Sequence, residues 1–222
     1  MITIQKWTLN PFQENTFGIA DSQGNALIID PGMYQKEEKD AVEQWLKEHG
    51  FNSIQVWLTH GHLDHVFGCD FLFQKFGVLP IIHQLDLPTL AMAEKSADVY
   101  GVPMDPCPQP KEFIEVGKTL HFAGQDVEVI FLPGHAPGHV GFYFPEDQVV
   151  FSGDVLFKQS VGRTDLPGGN EQVLRESIEY LYENLPAATV VCNGHGDETT
   201  IGAEARENPY VNAAGSGFFQ GK

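Results

Sequence analysis

The chain has 222 residues, 42 % of them hydrophobic and 11 % aromatic, with 30 acidic against 13 basic side chains and a formal charge of −17. That apolar content supports a packed core and excludes a disordered chain. The acidity excludes nucleic acid and anionic membrane surfaces as principal partners, because both require clustered cations. Cys69, Cys107 and Cys192 are odd in number and lack CxxC spacing, so a reducing compartment is expected rather than a disulfide framework. The N-terminus, Met1–Trp7, has no charged segment leading into an apolar stretch, and no apolar run reaches the roughly 18 residues of a membrane span. A soluble, cytoplasmic protein with a small-molecule substrate is the expectation.

In chain order, strands are predicted at Ile2–Thr8, Thr16–Ala20 and Ala26–Asp30, with turn residues between them. Gln35–His49 carries Ala41, Val42, Trp45 and Leu46 at helical spacing and is stopped by Gly50. The apolar run Ile54–Leu58 reads as a buried strand. A helix opens at Asp64 or His65 and runs to about Phe76, a short strand follows at Leu79–His83, and Leu87–Ser96 reads as a helix. Val102–Lys111 holds four prolines and reads as a loop. Further strands are expected at Thr119–Phe122, Val127–Leu132, Val140–Phe144 and Val149–Ser152. A glycine-rich loop, Ser160–Gly169, precedes a helix from near Asn170 to before Pro186, then a strand at Val190–Asn193 and a helix at Thr200–Glu207. Two strand-rich halves with interspersed helices predict an α/β fold, an αββα sandwich of two packed mixed sheets with helices on both outer faces, forming one domain over residues 1–222.

The chemistry concentrates where the Ile54–Leu58 strand ends. Thr59-His60-Gly61-His62-Leu63-Asp64-His65 packs three imidazoles and a carboxylate into six positions. Such donors suit zinc, iron or manganese. Three further positions share a pattern of strand, glycine and donor: His135 after Gly134, Asp154 after Gly153, and His195 after Gly194. Taken singly, each is more often a hydrogen-bonding loop residue. Together with the cluster they make five histidines and two aspartates, the number two neighbouring metals need if one carboxylate bridges them.

These motifs resemble those of the metallo-β-lactamase fold superfamily, with its HxHxDH signature followed by a distant His, an Asp and a final His. Gly134–His139 and Ser152–Phe157 resemble the GHTPGH and GDxLF segments of the glyoxalase II-like (hydroxyacylglutathione hydrolase-like) hydrolases. Gly162–Gly169 and Gly194–Gly202 are similar to a compact, single-domain branch of that family. The resemblance implies that His60, His62 and His135 hold a first metal. Asp64, His65 and His195 would hold a second, with Asp154 bridging. The cofactors implied are two divalent ions, zinc foremost, with iron or manganese as alternatives. Asp30 resembles the family's structural aspartate and, with His139, would support the ligands from behind.

A metal lowers the pKa of its water towards neutrality, supplying hydroxide to attack a thioester or ester such as S-2-hydroxyacylglutathione. Asp64 has a second, catalytic role in this scheme, taking the proton of the attacking water. Arg163 is a candidate substrate-binding residue, with a salt bridge to Asp165 as the competing reading. Full-length glyoxalase II enzymes carry a C-terminal helical region that helps bind glutathione. The chain reaches residue 222 soon after Asn208-Pro209-Tyr210, so that region is not expected here. The alternative reactions are a mononuclear iron persulfide dioxygenase of the same fold and a β-lactamase-like or lactonase hydrolase. His139 separates the chain from the dioxygenase branch, which tends to lack that histidine.

Overall fold

Apolar side chains alternate between two faces along the strands, and both faces are buried. Leu27 and Ile29 of one strand enter a cluster with Phe142 and Phe151, while their neighbours Ala26 and Ile28 enter another with Val42 and Leu46. A period of two with both faces apolar requires cover on each side. In a computed structural model describing residues 2–50 and 52–212, that cover is a second sheet on one side and helices on the other. Met1, Phe51 and residues 213–222 of the expected domain lie outside the described residues.

The first sheet runs through β1 (Thr3–Leu9), β2 (Glu14–Ala20), β3 (Asn25–Ile29) and, after helix α1 (Lys36–His49), β4 (Ser53–Trp57). Helices α2 (Leu63–Val66) and α3 (Cys69–Phe76), the short strand β5 (Ile82–His83) and helix α4 (Leu87–Tyr100) follow. Next come β6 (Phe113–Ile114), β7 (Thr119–Phe122), β8 (Gln125–Phe131), β9 (Val140–Phe144) and β10 (Val149–Gly153). The remainder is β11 (Leu156–Phe157), β12 (Ser160–Val161), α5 (Glu171–Asn184), β13 (Val190–Asn193), β14 (Thr199–Thr200) and α6 (Ile201–Glu207).

The sheets are ordered β1-β2-β3-β4 and β14-β13-β10-β9-β8-β7. Both are mixed, because β3 pairs parallel to β4 and β10 parallel to β13. Phe17, Leu27, Ile29 and Trp57 of the first sheet meet Phe122, Val129, Phe142 and Phe151 of the second. The outer face of the first sheet packs on Val42, Leu46 and Leu72 of α1 and α3. That of the second packs on Leu174, Ile178 and Leu181 of α5 and Ile201 of α6. The αββα sandwich expected from the sequence is therefore the fold. Among the described residues no helix is long and apolar enough to cross a membrane.

Two helices differ from expectation. The helix predicted to run unbroken to Phe76 is interrupted around Gly68. The Gly68 N–H, which would continue the helix by bonding to Asp64, donates instead to the Pro31 carbonyl at 2.7 Å. The Asp64 carbonyl accepts from Asn10 Nδ2 at 2.9 Å. Helix α4 continues past Ser96 to Tyr100, ending at Gly101 in the left-handed region, a common helix stop.

Phe151 is buried between the rings of Phe17 and Phe144, 5.1 and 5.6 Å away. Phe151→Ala opens a cavity between the sheets that rigid strands cannot close. A loss of about 3–5 kcal/mol is expected, and an unchanged urea midpoint would contradict this account of the core.

Candidate metal centre

Strand ends from both sheets converge at one edge of the sandwich. Asp30 follows β3, Thr59 and His60 lie just past β4, and His135 and His139 sit in the loop from β8 to β9. Asp154 follows β10 and His195 lies just past β13. Two of the preceding glycines are required by close approach. Gly153 has φ +48°, and a Cβ there would lie 2.4 Å from Thr59 Oγ1. A Cβ at Gly194 would lie 2.1 Å from Asp154 Oδ1. Glycine lets the backbone come this close, so the strand-glycine-donor pattern has a steric origin.

All seven expected ligands meet here. Ligand atoms of His60, His62 and His135 lie within 4.8 Å of one another, as do those of Asp64, His65 and His195. Asp154 stands between the two triads. Its Oδ1 is 3.4 Å from His65 Nε2, and its Oδ2 is 3.5 Å from His135 Nε2 and 3.4 Å from His195 Nε2. A third grouping within the same limit, Asp30, His60 and His65, joins a supporting residue to one member of each triad.

The hydrogen bonds behind the rings decide which nitrogen faces inward. Thr59 Oγ1 donates to Asp30 Oδ2 at 2.7 Å, so its oxygen accepts from His60 Nδ1 at 3.0 Å. His65 Nδ1 donates to Asp30 Oδ2 at 3.1 Å. His135 Nδ1 donates to the Arg163 carbonyl at 2.8 Å, and His195 Nδ1 donates to the Gln13 carbonyl at 3.3 Å. In all four the Nε2 is left for the centre. His62 is the exception, presenting Nδ1 2.8 Å from His135 Nε2.

The donor set fits divalent cations. His60 Nε2, His65 Nε2 and Asp154 Oδ1 are buried without a hydrogen-bond partner, a costly state for polar atoms unless an ion completes them. Burial, with neighbouring imidazoles, holds His60 and His139 well below the usual histidine range, and His62 falls to about 3. Burial opposes charge on His65 and His195, but Asp154 outweighs it. His65 is raised well above its usual value and His195 to about 10. Burial likewise opposes ionisation of Asp64 and Asp154, yet His65 foremost keeps both carboxyls below their usual range.

The two expected supporting residues touch the ligands. Asp30 accepts from the Thr59 N–H and hydroxyl, both at 2.7 Å, and from His65. His139 Nε2 accepts the backbone N–H of Asp154 at 3.1 Å. Arg163 reaches the site through its carbonyl, while its guanidinium forms two bonds of 2.7 and 2.8 Å to Asp165. Of the remaining histidines, His49 stacks on Trp45, His121 pairs with exposed Asp126, and His83 lies against Phe131.

Sequence reasoning missed two buried acids. Asp86, just before α4, accepts from the Gly61 N–H and, at 3.0 Å, from the Gly138 N–H. It therefore ties the loop carrying His60 and His62 to the loop carrying His135 and His139. Burial raises its pKa despite these donors. Glu14 is fully buried, with Oε1 3.9 Å from His65 Nδ1, and burial holds its carboxyl well above the usual range. A carboxylate amid the apolar helix signal at Leu87 was the available hint for Asp86; nothing in the local pattern marked Glu14. Outside the donors opens a cleft of ≈ 740 Å³ bordered by His62, Asp64, His135, Asp154 and His195, with α4 as one wall.

Residues 9–195 match the family model of the metallo-beta-lactamase superfamily. The hydroxyacylglutathione hydrolase GloC of Haemophilus influenzae is 39 % identical, over 91 % of this chain and 94 % of its own. The crystal structure of BLEG-1 B3 metallo-beta-lactamase superposes with a TM-score of 0.84 at 34 % identity, covering 93 % of this chain and 98 % of the other. TTHA1623, crystallised in a di-iron-bound form, gives 0.81 at 38 % identity, covering 92 % and 98 %.

Removing the Asp86 carboxylate leaves two buried backbone N–H groups without an acceptor, each costing roughly 1–3 kcal/mol. Asp86→Ala is expected to lower the melting temperature clearly, and Asp86→Asn, which keeps one acceptor oxygen, to lower it less. Equal melting of both variants with the parent would refute the tie between the loops.

Proposed function

The chain belongs to the metallo-beta-lactamase superfamily, and on that premise we propose that it is a dinuclear metal-dependent hydrolase of a thioester or ester carbonyl. The observation that carries the reading is Asp154, whose two oxygens reach towards histidines of both donor triads. His60, His62 and His135 would hold one ion, and Asp64, His65 and His195 would hold the other. Two triads support a dinuclear centre over the single iron of a persulfide dioxygenase. Zinc suits so imidazole-rich a set, and iron or manganese is also accepted.

When bound, the ions supply Lewis acidity and lower the pKa of water towards neutrality. The chain's own groups do the rest. Asp64, ionised and at the cleft floor beside His195, takes the proton of the attacking water. Asp30 fixes the ring of His65, and His139 fixes the backbone that carries Asp154. A thiolate leaving group departs without a general acid. S-2-hydroxyacylglutathione is the substrate to which the name of the Haemophilus influenzae relative points. We read residues 1–222 as one such domain, and the free, buried state of all three cysteines supports a cytoplasmic setting.

Metal analysis of the purified protein, coupled to a thiol-release assay, tests the proposal. Two ions per chain with thioester cleavage is the expected result. One iron with oxygen consumption on a persulfide and no hydrolysis would replace it with the dioxygenase reading. Nitrocefin turnover exceeding thioester turnover would favour a β-lactamase instead. Asp154→Ala should lower kcat by more than the roughly 10–100-fold loss that follows removal of an outer partner such as Asp30. Retention of full activity in that variant would end the bridging role.

A further inference from the structure

The wall of the cleft has a chemistry that the donors do not explain. Helix α4 turns Met92, Val99 and Tyr100 towards it, and these side chains are 41 %, 78 % and 51 % exposed. Phe12, Phe157 and Leu166 continue the apolar lining from three other segments. Exposed apolar groups gathered around a concave site, rather than scattered, mark a surface built to be covered. The basic side chains lining the cleft, histidines apart, are Lys95 and Arg163. Arg163 is already held at both Nε and Nη2 by Asp165, so among the described residues Lys95 is the lining cation without such a partner. The chain as a whole carries −17, which repels anions approaching from solvent.

We infer that this cleft selects uncharged, lipophilic acyl thioesters or esters, in which an apolar chain lies along Met92, Val99 and Tyr100 while the carbonyl faces the metal-donor floor. The inference rests on the hydrolase reading above and narrows its substrate class. A substrate bearing two carboxylates, such as a glutathione thioester, would need paired cations that the lining does not supply. An apolar chain needs only the surface already exposed. Specificity is then set by the length and charge of the acyl and thiol groups, with α4 as the measuring element.

The test is a matched series of N-acetylcysteamine thioesters on the metal-loaded protein: acetyl, butyryl, hexanoyl and succinyl, together with S-D-lactoylglutathione. Burial of each added methylene is expected to raise kcat/KM by roughly two- to fourfold until the wall is covered. The succinyl ester, as long as butyryl but anionic, is expected to be at least about tenfold poorer than butyryl. Val99→Asp, at an exposed position, should reduce kcat/KM for hexanoyl more than for acetyl and so flatten the slope, chiefly through KM. Calorimetric binding of a non-hydrolysable hexyl thioether, weakened by the same substitution, gives a readout independent of turnover. A flat chain-length profile, or a preference for succinyl or lactoylglutathione, overturns the apolar-substrate inference and leaves the hydrolase reading intact. No turnover of any ester by protein shown to hold two metals removes the hydrolase reading and this inference with it.

Discussion

A buried carboxylate with more neighbours than it can satisfy organises the open edge of the sandwich. Asp154 lies about equally far from nitrogens of His65, His135 and His195, which come from three separate segments. Its backbone N–H is anchored by His139, and its Oδ1 occupies the space that a side chain at Gly194 would need. Two glycines and one histidine thus fix a short side chain at the centre of a ring of longer ones. Burying such a charge is tolerable only with compensating charge nearby. Both sheets are needed, because Asp154 extends from one and the cluster of His60 to His65 from the other.

Helix α4 connects that centre to what surrounds it. The Asp86 carboxylate at its start holds Gly61 and Gly138, each lying between two histidines in sequence, while its later turns form the apolar wall of the cleft. The spacing of the donor loops and the lining of the cleft are therefore set by one helix. Precision at a site comes from supports held by packing, and Leu90, Ala93 and Ala97 of α4 are buried against Leu58 and Phe67 at its back.

The long elements were legible because their periodicity is strong. β7, β9 and β13 begin and end where the apolar patterns do, and the His60–His65 cluster with the strand-glycine-donor recurrence at His135, Asp154 and His195 named seven donors that the fold brings together. What escaped was set by contacts between distant segments. β6, β11, β12 and β14 are each two residues long, too short to show any period. The break before α3 depends on Asn10 and Pro31 taking hydrogen bonds that a continuous helix would use. Asp86 and Glu14 were hidden for the same reason, since the groups that tie them to the centre, Gly61 and Gly138 for Asp86 and His65 for Glu14, are remote in sequence. Arg163 was read as a substrate cation or an ion-pair partner; its bidentate contact with Asp165 shows that the pair forms.

The electrostatics of the centre explain how so many ionisable groups share one buried space. The carboxylates of Asp64 and Asp154 face His65 and His195, and despite burial they raise the pKa values of both imidazoles. His60 and His62 are kept neutral by burial and by neighbouring imidazoles, so their lone pairs are available at any pH near 7. A divalent ion held by Asp154 and these histidines would supply compensating positive charge, and metal binding to protonated ligands releases protons generally. The Asp30 carboxylate holds His65 through Nδ1, so the orientation of the ring is fixed from behind and independently of Nε2. The centre is thus shaped by hydrogen bonds made behind the donors, and a divalent ion would offset the negative charge that Asp64 and Asp154 gather there.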